Sequence, residues 1–353
     1  MKFIIMFGAI IGAVLFSIFP KIVSVKPLWW KISAVVFVAL SLFLTIYPPI
    51  SATIEDSIYL QKGIYKQMNL HINVSADNIT RDETKEIWKK VIGIKENKIN
   101  DFDNLEFKNK LIIPLKELPE EFKGNNELVI RATFNEELNS IEYIETLAIN
   151  PFLDYPFVAN LEERIKILNL HVPLAWISVV AYLMSMIYAI KYLKTKEMVW
   201  DIYTTSTAAL GTFYAILATT TGMLWAKYNW GAYWNWDPRQ TSIFVLIMIY
   251  AAYFALRSAI DNEERRAKLS SVYSIISFIT VPFLVFVLPR LASGLHPGSA
   301  DDGNAGPLVS QQTGSLDTTL IYGFGLALFS FTIIYFWILN LLVRYKIISH
   351  KIN

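Results

Sequence analysis

Residues Trp225–Ser242 read W-A-K-Y-N-W-G-A-Y-W-N-W-D-P-R-Q-T-S, between two apolar runs, Ile202–Ala226 and Thr241–Leu256. Sparsely charged runs of this kind are what the ~30 Å hydrocarbon layer of a bilayer demands of an α-helix. Reading outward in both directions adds Phe3–Pro20, Ile32–Ile50, a run from about Leu168 to Ile190, another from about Leu269 to Pro289, and Leu320–Val343. The sequence therefore predicts an all-α polytopic membrane protein with about seven transmembrane helices. Composition agrees, because 54% of residues are hydrophobic and only 18% are charged, against about 25% charged in soluble chains. Phe3–Pro20 has the look of a signal peptide, but no small-x-small cleavage site follows it and Lys21 and Lys26 do, so it is expected to stay as a span.

Loop charge sets the orientation. Lys21, Lys26 and Lys31 follow the first span, and Lys191, Lys194 and Lys196 follow the third. Arg257, Arg265, Arg266 and Lys268 follow the fifth, and Arg344, Lys346 and Lys351 follow the seventh. All four groups share one side if the spans alternate. That side is expected to be cytoplasmic, with the chain in an inner (cytoplasmic) membrane. The segment 51–166 and the loops 227–240 and 290–318 then face outward.

Residues 51–160 have a different composition, with frequent charges and short apolar runs. Leu70–Val74 alternates as a half-buried strand does. Leu111–Leu115, Leu128–Phe134 and Ile141–Ile149 also read as strands, with Gly124-Asn125-Asn126 as a turn and Asp82–Val91 as a helix. The expected organisation is two N-terminal helices in 1–50, a small β-rich extracytoplasmic insert in 51–160, a five-helix core in 161–345 and a cytoplasmic tail in 346–353. The net charge of +2 and the lack of a basic tract exclude a nucleic-acid partner; membrane lipid is the expected surround. With no cysteine, thiolate metal sites, thiol catalysis and the C-x-x-C-H haem attachment signature are all absent.

The chemistry concentrates on the outward side. Trp225, Trp230, Trp234 and Trp236 fall within one short loop, with Tyr228 and Tyr233 among them, and Gly231 and Pro238 constrain the backbone. An interface belt uses one or two aromatics per span; this density suits a platform for a flat aromatic ligand. A porphyrin is planar, carries two carboxylates and takes axial histidines. Of four histidines, His71 lies in the insert and His350 in the tail. His171, at the outer start of the third span, and His296, beyond the outer end of the sixth, share the face of the tryptophan loop and are candidate iron ligands. Arg239, Arg290 and Arg164 are candidate propionate partners, since guanidinium binds carboxylate in a two-point fork; Asp237 stands beside Arg239 at the platform's rim.

These residues resemble a family. W-G-A-Y-W-N-W-D, Trp230–Asp237, matches every fixed position of the W-G-x-x-W-x-W-D signature of the haem-handling (WWD) superfamily of cytochrome c biogenesis. L-H-V-P-L-A-W around His171 and L-H-P-G-S around His296 resemble the stretches that carry the two external histidines of its CcmC branch. The resemblance covers 162–345 well and 28–50 weakly. It implies non-covalent binding of haem b at the outer membrane face and transfer to a CcmE-like haem chaperone. The implied partners are the ABC-type subunits CcmA and CcmB and a small CcmD-like protein. On that reading the chain transfers haem and makes no bond itself. The alternative is a CcsA/ResC-type component of a cytochrome c synthetase, a branch with further histidines inside its spans; this chain has none there. Two features depart from the CcmC pattern: Asp237-Pro238-Arg239-Gln240-Thr241 is closer to the CcsA form, and neither the first span nor the insert belongs to the six-span plan.

Overall fold

The computed structural model describes residues 2–18, 24–92, 110–158, 161–296, 298–301 and 318–352. In order the chain forms α1 (Lys2–Ile18), α2 (Leu28–Ile46), β1 (Ile50–Ser51), α3 (Ile58–Gln61), β2 (Met68–Val74), β3 (Ile79–Asp82) and β4 (Ile87–Val91). It continues with β5 (Lys110–Ile113), β6 (Asn126–Asn135), β7 (Ser140–Ile149) and β8 (Tyr155–Pro156). The remaining helices are α4 (Leu168–Thr195), α5 (Met198–Trp230), α6 (Pro238–Ser258), α7 (Glu263–Pro282), α8 (Leu288–Leu291) and α9 (Thr318–Ile352). Contacts divide the chain into a helical unit, Met1–Ile46 with Arg164–Asn353, and a second unit, Tyr47–Glu163.

Among the described residues, six helical segments are long and apolar enough to cross a membrane: Leu28–Ile46, Glu163–Thr195, Met198–Trp230, Pro238–Ser258, Glu263–Leu291 and Leu320–Ser349. The first of the seven expected spans is shorter. The 17 residues of α1 reach about 26 Å at 1.5 Å per residue. It lies closely on α9, where a Cβ on Gly325 would stand 2.8 Å from Ile5 Cγ2. Large apolar side chains such as Ile11, Val35, Phe43, Ile216, Met248 and Ile279 remain exposed, as expected of a surface whose solvent is lipid. Several apolar runs are extended by polar residues that continue the helix; α5, for example, begins at Met198 rather than at Ile202 and so takes in Asp201.

The helical core is organised around the α4–α5 hairpin, which turns at Lys196 in the left-handed conformation (φ +61°). Gly211 admits the ring of Tyr182 so closely that a Cβ would lie 2.7 Å from Tyr182 Cδ1. Leu174, Ile177, Tyr188, Leu210 and Tyr214 meet Tyr335, Leu339 and Val343 of α9. On the other side Tyr182 stacks on Tyr250 of α6 at 3.7 Å. Trp30 of α2 is fully buried, donates through Nε1 to the Phe16 carbonyl and stacks on the Phe16 ring. The sixth span is not one continuous α-helix. Pro282 has no N–H to give to the ladder, and the chain passes through a wider π turn, Phe283–Val287, into α8.

The second unit is β-rich, as expected. Six strands form one sheet in the order β2-β6-β7-β5-β4-β3, with β5 and β7 parallel and the other neighbours antiparallel; β1 and β8 form a separate parallel pair. Alternation in β2 buries Met68, Leu70, Ile72 and Val74, which join Leu111, Ile113, Phe122, Leu128 and Ile130 in one core. Asp82–Val91 is not a helix. It is the β3–β4 hairpin, turning through Glu83–Glu86 with Glu86 left-handed (φ +51°). Across it Arg81 faces Trp88 with the guanidinium 4.9 Å from the ring, and Lys89 pairs with Asp82. Ten residues are too few to sustain a lone helix, whereas as a hairpin they bury Ile87.

Candidate functional site

The tryptophan loop is a pinned connection between α5 and α6. Gly231 ends α5 in the left-handed conformation (φ +81°), which costs a residue without Cβ nothing. Trp236 takes the same conformation (φ +56°) with a bulky side chain, so the surrounding contacts must hold it there. Gln240 holds the loop from inside α6: its Oε1 accepts from the Asn235 N–H at 2.8 Å, and its Nε2 donates to the Tyr233 carbonyl at 3.2 Å. Asp237 caps α6, accepting from the Arg239 N–H at 2.9 Å, with Pro238 in the first turn.

The same carboxylate reaches across the fold to His296. Asp237 Oδ1 accepts from His296 Nδ1 at 2.7 Å, and Oδ2 accepts from the Leu295 N–H at 2.7 Å. Burial works to raise the Asp237 pKa. The His296 hydrogen bond and charge, together with the two backbone N–H groups, outweigh it and hold the carboxyl down at about 2. The group is therefore a carboxylate, and it fixes His296 with the hydrogen on Nδ1. Gly294 makes room for the contact, since a Cβ there would lie 2.8 Å from Asp237 Oδ2. The Trp230 ring meets the His296 ring edge-on at 4.6 Å.

His171 is held by the same logic from another element. It lies in the first turn of α4, and its Nδ1 is 2.9 Å from the Ala218 carbonyl and 3.2 Å from Thr221 Oγ1, both on α5. A carbonyl only accepts, so Nδ1 carries the hydrogen. Gly222 gives the ring its place: a Cβ would stand 2.8 Å from His171 Cε1. In both histidines Nε2 has no hydrogen-bond partner among the described residues and presents its lone pair. An imidazole whose Nδ1–H is anchored to a carboxylate or carbonyl is the usual form of a metal-ligating histidine.

The candidate residues gather as follows. His171, His296 and Arg239 are close enough for their charges to interact, and Arg239 interacts with both Arg290 and Asp237. Two imidazoles and two guanidiniums thus share one region with the Asp237 carboxylate, which is already engaged. Trp234 meets Trp236 edge-on at 5.7 Å, and Trp236 and Tyr233 are exposed. Trp225 is buried on α5, six residues before Gly231. Arg164 donates to the Tyr228 carbonyl at 3.1 Å and so ties the start of α4 to the end of α5. His71 belongs to β2 of the second unit, with its Nδ1 2.9 Å from Asp154 Oδ2. Most of the 290–318 loop, expected to face outward, lies outside the described residues, as does Pro297 beside His296.

Several contributors escaped the sequence reading: the Ala218 carbonyl, Thr221, Gly222, Gly294 and Gln240. Gly222 carried a signal, because glycine inside a helix needs a reason. The others are visible only once the chain has folded. No cluster of three or more His, Cys, Asp or Glu suited to a bare metal ion occurs among the described residues. Two imidazoles beside an aromatic loop and paired guanidiniums suit a metal that brings its own equatorial ligands and carries acidic groups.

Comparison with known proteins bears on that chemistry. The family model described as "CcmC: Heme exporter protein C" matches residues 143–353. Heme exporter protein C of Bradyrhizobium diazoefficiens is 33% identical over 122 residues, 35% of this chain and 46% of that protein. Heme exporter protein C of Escherichia coli is 28% identical over 134 residues, 38% of this chain and 54% of that protein. A cytochrome c biogenesis protein CcsA from Fagopyrum esculentum is 29% identical over 115 residues, 33% of this chain and 34% of that protein. The chain spans about half the length of the heme exporter relatives it matches.

Proposed function

Because the chain belongs to the CcmC, heme exporter protein C, family, we propose that it binds haem b non-covalently between His171 and His296 and delivers it for cytochrome c maturation. One observation carries the reading: two imidazoles from separate elements each commit Nδ1 to a protein acceptor and leave Nε2 available. The donor set fits the group. Bis-histidine ligation takes two such nitrogens, Trp230 packs beside one of them, and Arg239 and Arg290 offer two cations to two propionates. When bound, haem supplies the iron that the imidazoles hold. The chain's own part is to orient both rings, supply apolar surface and balance the propionate charge.

The site lies at helix ends opposite the four basic clusters, which supports an extracytoplasmic haem face in a cytoplasmic membrane. A ligand held at helix ends is accessible to a soluble partner, and transfer requires that. The proposed receiver is a CcmE-like haem chaperone, and the proposed assembly includes CcmA- and CcmB-like ABC subunits and a CcmD-like small protein. The likeness to CcsA supports a second reading, a synthetase component that attaches haem to apocytochrome c. A chain with only four histidines, none of them in the interior of a span, favours transfer.

The test is to mix haem-loaded protein with purified apo-chaperone, separate them and record both visible spectra. Transfer predicts that the haem absorbance moves to the chaperone and that cells lacking the gene lose c-type cytochromes while other haem proteins persist. Haem that stays on this chain, with normal c-type cytochromes in the deletion strain, overturns the proposal.

A further inference from the structure

A second polar site lies at the other end of the helical unit. A cavity of about 290 Å³, lined among others by Asp201 and Met198 of α5, Arg257 of α6, Arg266 of α7 and Tyr345 and Lys346 of α9, sits where these helices end together. Asp201 is largely buried and already engaged: Arg257 grips it with two nitrogens, at 2.7 and 2.8 Å, and also donates to Ser270 Oγ at 2.6 Å. Lys346 interacts electrostatically with both members of that pair, attracted by Asp201 and repelled by Arg257. Arg266 pairs with Glu263 on its own helix, at 3.4 Å and with the carboxylate half-exposed. Among the described residues, the charged groups that line the cavity are three cations and one fully used carboxylate, with the Glu263 and Glu264 carboxylates at its periphery. The lining itself carries positive charge in excess.

We propose that this cavity binds the phosphate of an anionic phospholipid headgroup. Its cations belong to two of the four basic clusters that mark one membrane face, which is the depth of lipid phosphates and the leaflet where anionic lipid draws basic residues. Its volume is at the small end of the roughly 300–1,000 Å³ occupied by drug-sized ligands. It therefore suits a headgroup rather than a porphyrin. Tyr345 both lines the cavity and stands in an exposed apolar row with Leu341 and Ile348 on α9. Spacings of four and three put these side chains on one helix face, and that row offers an acyl chain a track leading from the phosphate. A free anion has no use for such a row.

The experiment is thermal unfolding of the full-length protein in a neutral detergent, titrated with phosphatidylglycerol, phosphatidylcholine or inorganic phosphate. Phosphatidylglycerol is expected to raise the Tm of the wild type by several degrees, with little effect from the other two. Lys346→Gln and Arg266→Gln should each raise the half-saturating phosphatidylglycerol concentration at least about tenfold, and Lys346→Arg should keep it. The haem spectrum is expected to be unchanged in all three, so failure here is separable from failure of the haem site. Equal shifts with phosphatidylcholine, or the same half-saturation in Lys346→Gln and Arg266→Gln as in the wild type, overturn the proposal. Inorganic phosphate reproducing the full shift overturns the lipid as its source.

Discussion

Asp237→Asn isolates the contact on which the orientation of His296 rests. The change keeps size and shape, and asparagine caps a helix as well as aspartate does, so the start of α6 should survive. The side chain then has one acceptor where it had two. Its oxygen can serve either the two donors now on Oδ1, His296 Nδ1–H at 2.7 Å and the capping Arg239 N–H at 2.9 Å, or the Leu295 N–H now on Oδ2 at 2.7 Å, but not both sets. If the amide nitrogen faces His296, the ring must move its hydrogen to Nε2, and that nitrogen can no longer bind iron. Hydrogen bonds to charged groups contribute about 1.5–3 kcal/mol. At about 1.4 kcal/mol per factor of ten, that is a loss of roughly 10- to 150-fold in haem affinity. The typical cost of removing a ligand's outer partner, about 10–100-fold, agrees. The assay is a haem titration of the purified protein followed at the Soret band, with Tm measured in parallel. A variant with wild-type affinity and an unshifted spectrum would refute the idea that Asp237 sets the state of His296.

Three further outcomes follow from the same geometry. Gly222→Ala places a methyl 2.8 Å from His171 Cε1; overpacking of this kind costs about 1–3 kcal/mol, so haem binding should weaken about fivefold or more, read by the same titration. Trp230→Ala removes an edge-on partner of His296, worth about 0.5–1.5 kcal/mol, and should weaken haem retention about two- to twelvefold without abolishing it. Asp201→Asn breaks the buried pair with Arg257, which should cost about 3–5 kcal/mol of stability; thermal unfolding should reveal this loss while the haem spectrum of the folded fraction is unaltered.

How much of this was legible in the sequence depended on the range of the interaction. Apolar runs located the long helices because lipid imposes length and composition locally. Their ends were misjudged because polar residues such as Asp201 continue a helix once a partner like Arg257 satisfies them, and that partner lies 56 residues away. Alternation found β2, which buries one face, and short apolar runs found β5, β6 and β7. Neither signal found the β3–β4 hairpin, where Asp82, Lys85, Glu86, Lys89 and Lys90 carry a helix-like charge pattern while cross-strand pairs decide the conformation. At the site, residue types pointed to His171, His296, Asp237 and Arg239, which the fold brings into one region. The Asp237–His296 bond spans 59 residues and no local pattern announces it. Trp225 looked equivalent to its neighbours in the loop, yet it precedes Gly231 by nearly two helical turns and is buried on α5.

The central claim is that His171 and His296 hold one haem iron between them. The most direct measurement is the low-temperature electron paramagnetic resonance and visible spectrum of ferric haem-loaded protein, for the wild type and for His171→Ala, His296→Ala and His71→Ala. The account predicts a bis-imidazole low-spin signature in the wild type and in His71→Ala, and its loss in each of the other two variants. A bis-imidazole signature persisting in either His171→Ala or His296→Ala would contradict it.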